Sequence, residues 1–275
     1  MGSEDGLPLL VRCGVMMKTD LVIAAARDAR SLALCARGVA WSNLSQVDRV
    51  VVLVNNADGT NATMDVRRSA VVLSLEHGWD VIEYAGDGAC GDALAWYVRG
   101  APAQGFVKID SDMFPIHRGW VGGLLRELRN AELVSGMTNA NWHCSGEFMR
   151  ALDRDPSPLL YKDAARNMEI WLETLSQWQK VTEKGTFRDF YVETPEWISG
   201  NAFAFSRGWF DSIPPEAWAG KMDEAVINLP AGRRAPVPVI GESLLLHWGY
   251  GPATRQLEPM WNDASERLLK LWGET

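Results

Sequence analysis

Apolar and polar positions alternate between two rhythms in the first half of the chain. Val47–Asn55 (VDRVVVLVN) is a continuous β-branched run, the pattern of a strand buried on both faces. Asn56-Ala-Asp-Gly59 closes it with turn residues. Trp79–Tyr84 and Gly105–Ile109 read as further strands, the second ending at Asp110. Between them Asp65–Glu76 and Gly91–Arg99 carry helical spacing, and Gly78 stops the first. Upstream, Leu9–Val15 is a short apolar run and Ala24–Ala40 reads as helical. The β-α-β-α-β-α-β order predicts an α/β fold, a mostly parallel sheet with helices on both faces. Ligands bind such sheets at the carboxyl ends of the strands. That rule singles out Asn55, Asn56, Asp58, Asp87, Asp110 and Asp112.

The second half is patterned differently. Asp153–Pro158 (DRDPSP) is polar and Pro-bearing, the composition of a surface loop. Tyr161–Lys180 then reads as an amphipathic helix, with Met168, Trp171, Leu172, Leu175 and Trp178 on one face. Such a stripe is first a core contact; here it also suits a lid over a second substrate. Trp197–Phe205 is apolar, a helix starts near Asp223, and Val237–His247 is strand-like. Ala264–Trp272 reads as a short helix docked on the body.

Composition narrows the classes. The 275 residues are 47% hydrophobic and 23% charged, as in ordinary globular domains. The longest apolar runs, such as Leu21–Ala26 and Val50–Val54, are too short to span a bilayer, and Met1–Pro8 lacks a signal core. A net charge of −8 disfavours a broad nucleic-acid surface, although Arg126, Arg129, Arg233 and Arg234 could form a local patch. Cys13, Cys35, Cys90 and Cys144 are scattered with no C-x-x-C pair, the usage of reduced thiols. The expectation is a soluble cytoplasmic protein without integral membrane contact. The 13 Trp outnumber 8 Phe and 5 Tyr. Flat aromatic faces suit sugar rings, although any single Trp reads first as core.

Four constellations could carry chemistry. In Lys108-Ile-Asp-Ser-Asp112, residues i and i+2 of extended backbone face one side, so Asp110 and Asp112 present two carboxylates at a strand end. Such hard oxygens suit Mg2+ or Mn2+, which would hold a substrate diphosphate. About one D-x-D triplet is expected by chance at this Asp content, and Asp153-Arg-Asp155 is another that follows no strand. Second, Gly86-Asp-Gly-Ala-Cys-Gly91 fits G-x-G-x-x-G between a strand and a helix, with Asp110 near the ribose-binding offset. Against a dinucleotide there, Asp87 would repel a pyrophosphate, and a long α/β stretch precedes a motif that normally opens the fold. Third, Ser199–Arg207 (SGNAFAFSR) precedes Met222-Asp-Glu224, where Asp223 or Glu224 could be a general base or simply a helix N-terminal acid. Fourth, His247 ends an apolar run and suits either a core position or a metal's coordination.

Taken together, VVVLVNNADG, GDGACGDALAWYVRGAPAQGFVKIDSD, SGNAFAFSR and MDEAV occur in the order that resembles GT-A-type nucleotide-sugar glycosyltransferases, family-2-like, across roughly residues 9–255. The resemblance implies a single Rossmann-like GT-A domain over 1–275. Residues 1–112 would bind the nucleotide sugar and 113–255 the acceptor, with a helical insertion at about 151–196 and a C-terminal helix at 256–275. It further implies a hexosyltransferase-like enzyme using Mn2+ or Mg2+ and a nucleoside-diphosphate sugar, UDP-linked by preference, with the acceptor hydroxyl on a glycan, lipid, small molecule or, against the charge balance, a hydroxymethylated nucleic-acid base. Metal ligation falls to Asp110, Asp112 and His247. Asn55, Asn56, Asp58, Asp87, Lys108, Asp110, Asn201 and Trp248 would bind substrate. Asp223 or Glu224 would be the base of an inverting displacement, and a retaining mechanism stays open if neither is. The usual acidic pair is reversed here, and Asn55-Asn56 stand where the family has an acid. No Q-x-x-R-W follows, which argues against a processive synthase. Two alternatives remain open at this level: an NAD(P)-dependent oxidoreductase using Gly86–Gly91, and a non-catalytic nucleotide-sugar binding protein.

Overall fold

The computed structural model describes residues 17–26, 28–55, 61–86, 89–138, 191–192, 198–230, 232, 237–248 and 258–274. Leu9–Val15, the DRDPSP loop and the Tyr161–Lys180 helix lie outside them. The strands are β1 (Thr19–Ala25), β2 (Arg49–Asn55), β3 (Asp80–Tyr84), β4 (Gly105–Asp110), β5 (Met113–Pro115), β6 (Leu133–Thr138), β7 (Tyr191–Val192), β8 (Ala202–Ser206) and β9 (Val239–His247). The α-helices are α1 (Ala29–Trp41), α2 (Asn61–His77), α3 (Cys90–Gly100), α4 (Trp120–Glu127), α5 (Arg207–Asp211), α6 (Asp223–Ile227) and α7 (Glu258–Leu271).

All nine strands form one sheet in the order β3-β2-β1-β4-β8-β6-β9-β5, with β7 on β9. The first four are parallel, as the alternation predicts. Beyond β4 the sheet is mixed: β8 runs antiparallel to β4 and β6, β9 is parallel to β6, and β5 is antiparallel to β9. The short strands β5 and β6 and helix α4 carry too little periodicity to be read from sequence.

One early assignment changes. The pattern favours a helix from Ala24, but Thr19–Ala25 is β1, and α1 begins at Ala29. Alanine-rich LVIAAA has helical propensity, yet parallel ladders on both sides and near-complete burial override it. Asp28 then starts the helix by accepting from the backbone N–H groups of Arg30 and Ser31. At the end of α2, Gly78 adopts φ 68°, the left-handed geometry that closes a helix.

Period-2 alternation sends side chains into two cores. Leu21, Ile23, Val50, Val52, Val107, Ile109, Ala202 and Ala204 face α1, α2, α4 and α7. Val22, Val51, Leu53, Phe106, Phe203 and Phe205 face α3, α5 and α6. The tryptophans follow: Trp79, Trp120, Trp209, Trp218, Trp248, Trp261 and Trp272 are buried. Among the described residues the Trp surplus therefore builds core rather than sugar platforms, with Trp96 exposed. No described helix is long and apolar enough to cross a membrane.

Candidate functional site

Helices α1 and α3 cover opposite faces of the parallel half, so a crevice opens at the carboxyl ends of β1 and β4, where strand order reverses. Ala24 of β1 pairs there with Asp110 of β4.

On β4, Phe106, Lys108 and Asp110 share one face. Lys108 lies opposite Phe203 of β8, whose ring centre is 5.6 Å from the ammonium, and its side chain has no solvent exposure. Nζ pairs with Asp110 Oδ1 at 2.7 Å and Asp223 Oδ2 at 2.5 Å, and donates to the Gly200 carbonyl at 2.6 Å. The ammonium thus makes one hydrogen bond and two ion pairs. Burial opposes the ammonium charge, but Asp110 and Asp223 outweigh it and hold Lys108 charged well above the ordinary lysine range. Lys108, expected to bind substrate, is instead wholly internal. Asp110 is about a quarter exposed. Burial raises its pKa, and Asp223 and Asp112 add to that against the pull of Lys108.

The start of α6 is clamped between two glycines. A Cβ at Gly91 would lie 2.4 Å from the Lys221 carbonyl oxygen, and one at Gly200 would lie 2.8 Å from Glu224 N and Cβ. Asp223, 3% exposed, is held by Lys108 on one oxygen. Its other oxygen accepts the Cys90 thiol at 3.3 Å and the Glu224 N–H at 2.9 Å. Burial, with Asp223 next, pushes the Cys90 thiol up to about 12, so it stays protonated as a donor. Glu224 is half-buried and more open to solvent than Asp223. The sequence reading missed Cys90 and the glycine clamp. The signals were there, in a Cys at a helix start and in a Gly before Asn201, but neither names its partner.

The Asp110–Asp112 turn is stitched on three sides. Asp110 N–H donates to the Asn201 carbonyl, Ser111 N–H to Ala24 and Trp248 N–H to Asp112. β5 follows at once, with Met113 opposite His247 of β9. That register sets His247 Nε2 3.3 Å from Asp112 Oδ2, both groups partly exposed. Burial disfavours charge on His247, but Asp112 more than offsets it and raises its pKa. Trp248, expected to bind substrate, is 1% exposed and packs edge-on against Trp261 at 5.0 Å, a core position. Asn55 ends β2 opposite Tyr84 of β3. Asn56, Asp58 and Asp87 lie outside the described residues, as do Arg233 and Arg234.

No protein-family model matches the chain, and no curated protein matches it in sequence. Solved structures do match. The mannosyltransferase PcManGT from Pyrobaculum calidifontis, in complex with GDP-Man and Mn2+, aligns with TM-score 0.53 at 12% identity, over 94% of this chain and 74% of that one. Glucosyl-3-phosphoglycerate synthase from Mycobacterium tuberculosis, in complex with Mg2+ and uridine-diphosphate, aligns with TM-score 0.50 at 14% identity, over 94% and 80%.

The fold is of the GT-A type.

Within this GT-A frame residues 87 and 88 of the Gly86–Gly91 segment lie outside the described residues, and its end at Ala89–Gly91 is covered. Asp92 accepts from Ala89 N–H and Gly220 N–H, and residues 220–223 lie across the start of α3. A pyrophosphate on those amides would have to displace them. The donor set at the GT-A crevice is carboxylate oxygen plus imidazole nitrogen, which fits Mn2+ or Mg2+. Among the described residues no group of three or more His, Cys, Asp or Glu is arranged to hold an ion. What the described residues bring together is the Asp112–His247 pair, two residues beyond Asp110.

Proposed function

We propose that the chain is a metal-dependent, family-2-like glycosyltransferase that moves a hexose from a nucleoside-diphosphate sugar, UDP-linked by preference, to an acceptor hydroxyl. The observation that carries this reading is the Asp112–His247 pair, 3.3 Å apart beside Asp110 at the β1/β4 switch point of a GT-A fold. Asp112 and His247 would ligate the ion, with Asp110 toward the ion or the ribose. When bound, the ion neutralises charge developing on the departing diphosphate. Asn55, with Asn56, Asp58 and Asp87, would line the nucleotide side within residues 1–112, and Asn201 belongs to the acceptor half.

Glu224 is the base in this reading. Asp223 is buried on Lys108 and Cys90, whereas Glu224 is only half-buried. Glu224 takes the acceptor proton as the oxygen attacks the anomeric carbon, which inverts the configuration. Lys108, Asp223 and the two glycines hold that carboxylate at its station. Free thiols at Cys35 and Cys90 accord with a cytoplasmic site of action.

Thermal unfolding against nucleotide sugars and NAD(P)H, each with and without Mn2+, tests the reading. A ligand at 100 times its Kd adds about 2.7 kcal/mol of stability. The expected result is stabilisation by one nucleoside-diphosphate sugar, abolished by EDTA and by Asp112→Asn. Metal-independent stabilisation by NAD(P)H would refute the reading. Donor binding without turnover across a broad acceptor panel would leave a binding protein.

A further inference from the structure

Three separate elements meet on one buried ammonium group. Asp110 comes from the end of β4, the Gly200 carbonyl from the loop before β8, and Asp223 from α6. A lysine between Phe106 and Phe203 is costly to desolvate, and an apolar residue of similar volume would serve packing at least as well. With no exposure, Lys108 has no face for a ligand. What it adds is a single positive charge shared by two carboxylates that belong to opposite halves of the crevice.

We propose that Lys108 is a positioning residue that couples the ion-binding end of the site to the Asp223–Glu224 turn by dividing one charge between Asp110 and Asp223. With the Asp223 carboxylate in place, the Lys108 charge is drawn to both sides, and Asp110 remains attractive to a cation. Where that carboxylate is removed, the whole charge bears on Asp110 and competes with the ion. Coupling of this kind is reciprocal: an ion drawing on Asp110 tightens Lys108 onto Asp223 and steadies the neighbouring Glu224. The geometry supports a short path, since Asp110 N–H also bonds the Asn201 carbonyl next to Gly200.

The inference rests on the proposed metal-dependent reading, and its test uses Mn2+ alone. Mn2+ is titrated calorimetrically into wild type, Asp223→Asn, Lys108→Met and Lys108→Met/Asp223→Asn, with thermal unfolding of each. Asp223→Asn, although outside the ion's ligands, is expected to weaken Mn2+ binding about tenfold, and Lys108→Met to tighten it about tenfold. Because Asp223 acts on the ion through Lys108, Asp223→Asn should add nothing once the lysine is gone, and the double variant is expected to bind Mn2+ within about threefold of Lys108→Met. A purely structural lysine predicts lower melting temperature with unchanged Mn2+ affinity in Asp223→Asn. That result overturns the coupling, as does a double variant whose affinity is simply the sum of the two single shifts. Unchanged Mn2+ affinity in Asp223→Asn overturns it even where the Lys108 variants fail to fold. Wild type that binds no Mn2+ is a different outcome and refutes the metal-dependent reading itself.

Discussion

Adding one methyl group at Gly200 tests whether the glycine clamp sets the position of Glu224. In Gly200→Ala the new carbon would sit 2.8 Å from Glu224 N and Cβ and 2.9 Å from its Cα. Non-bonded carbons settle near 3.5–4.0 Å, so a gap of about 1 Å must open. The Gly200 loop cannot readily give way. Its carbonyl accepts from Lys108, and the next carbonyl accepts from Asp110 N–H. On the far side, α6 cannot slide freely, because Gly91 already lies against the Lys221 carbonyl. Overpacking of this kind costs about 1–3 kcal/mol. For a chain of this size that lowers Tm by roughly 2–12 °C. Function should suffer more, since a displacement of about 1 Å at a reacting group costs on the order of 10²-fold in rate. Asp112 and His247 lie on other elements, so donor KM should stay within about threefold. The assay is steady-state transfer at saturating donor and Mn2+, alongside differential scanning fluorimetry. A Gly200→Ala enzyme with wild-type kcat and Tm would refute the clamp.

Three further outcomes follow from the same geometry. Arg207 donates to the carbonyls of Val98, Ala101 and Ala103 at the end of α3 and lies 5.0 Å over the Phe106 ring, so Arg207→Met should cost about 3 kcal/mol by urea unfolding. A loss under about 0.5 kcal/mol would show those bonds to be idle. The Cys90 thiol, pushed up to about 12, should resist iodoacetamide at pH 8.5, being alkylated at least about tenfold more slowly than free cysteine as read by peptide mass mapping. Its reactivity should climb only as pH rises toward that value, and fast labelling at pH 8.5 would contradict the Asp223 contact. Glu224→Gln should reduce kcat by about 10²–10⁴-fold while leaving Mn2+-dependent donor binding intact, and retained turnover would remove Glu224 as base.

Much of the frame was legible in the residues because its causes are local. The β-branched run ending at Asn55, the helix closed by Gly78 and the strand ending at Asp110 each carry their own periodicity and stop signal. Parallel strands need no knowledge of distant sequence to be recognised as apolar runs alternating with helices. Their carboxyl ends then mark the crevice. Where local propensity and tertiary pairing disagreed, at Leu21–Ala26, the ladders to β2 and β4 won.

Partners were another matter. Asp112 and His247 could each be suspected alone, but only the antiparallel register of β5 on β9 brings them to 3.3 Å. Lys108 and Trp248 were expected to bind substrate through the GT-A resemblance. Burial turned one into an internal hub and the other into core. That Asp223 is the carboxylate paired with the buried lysine depended on a contact between β4 and α6. By itself, then, the sequence determined the alternation of elements, the parallel half of the sheet and the strand-end acids, since these follow from periodicity and local stops. Tertiary structure alone decided which charges are paired, buried or open, because burial and long-range strand register are properties of the packed chain.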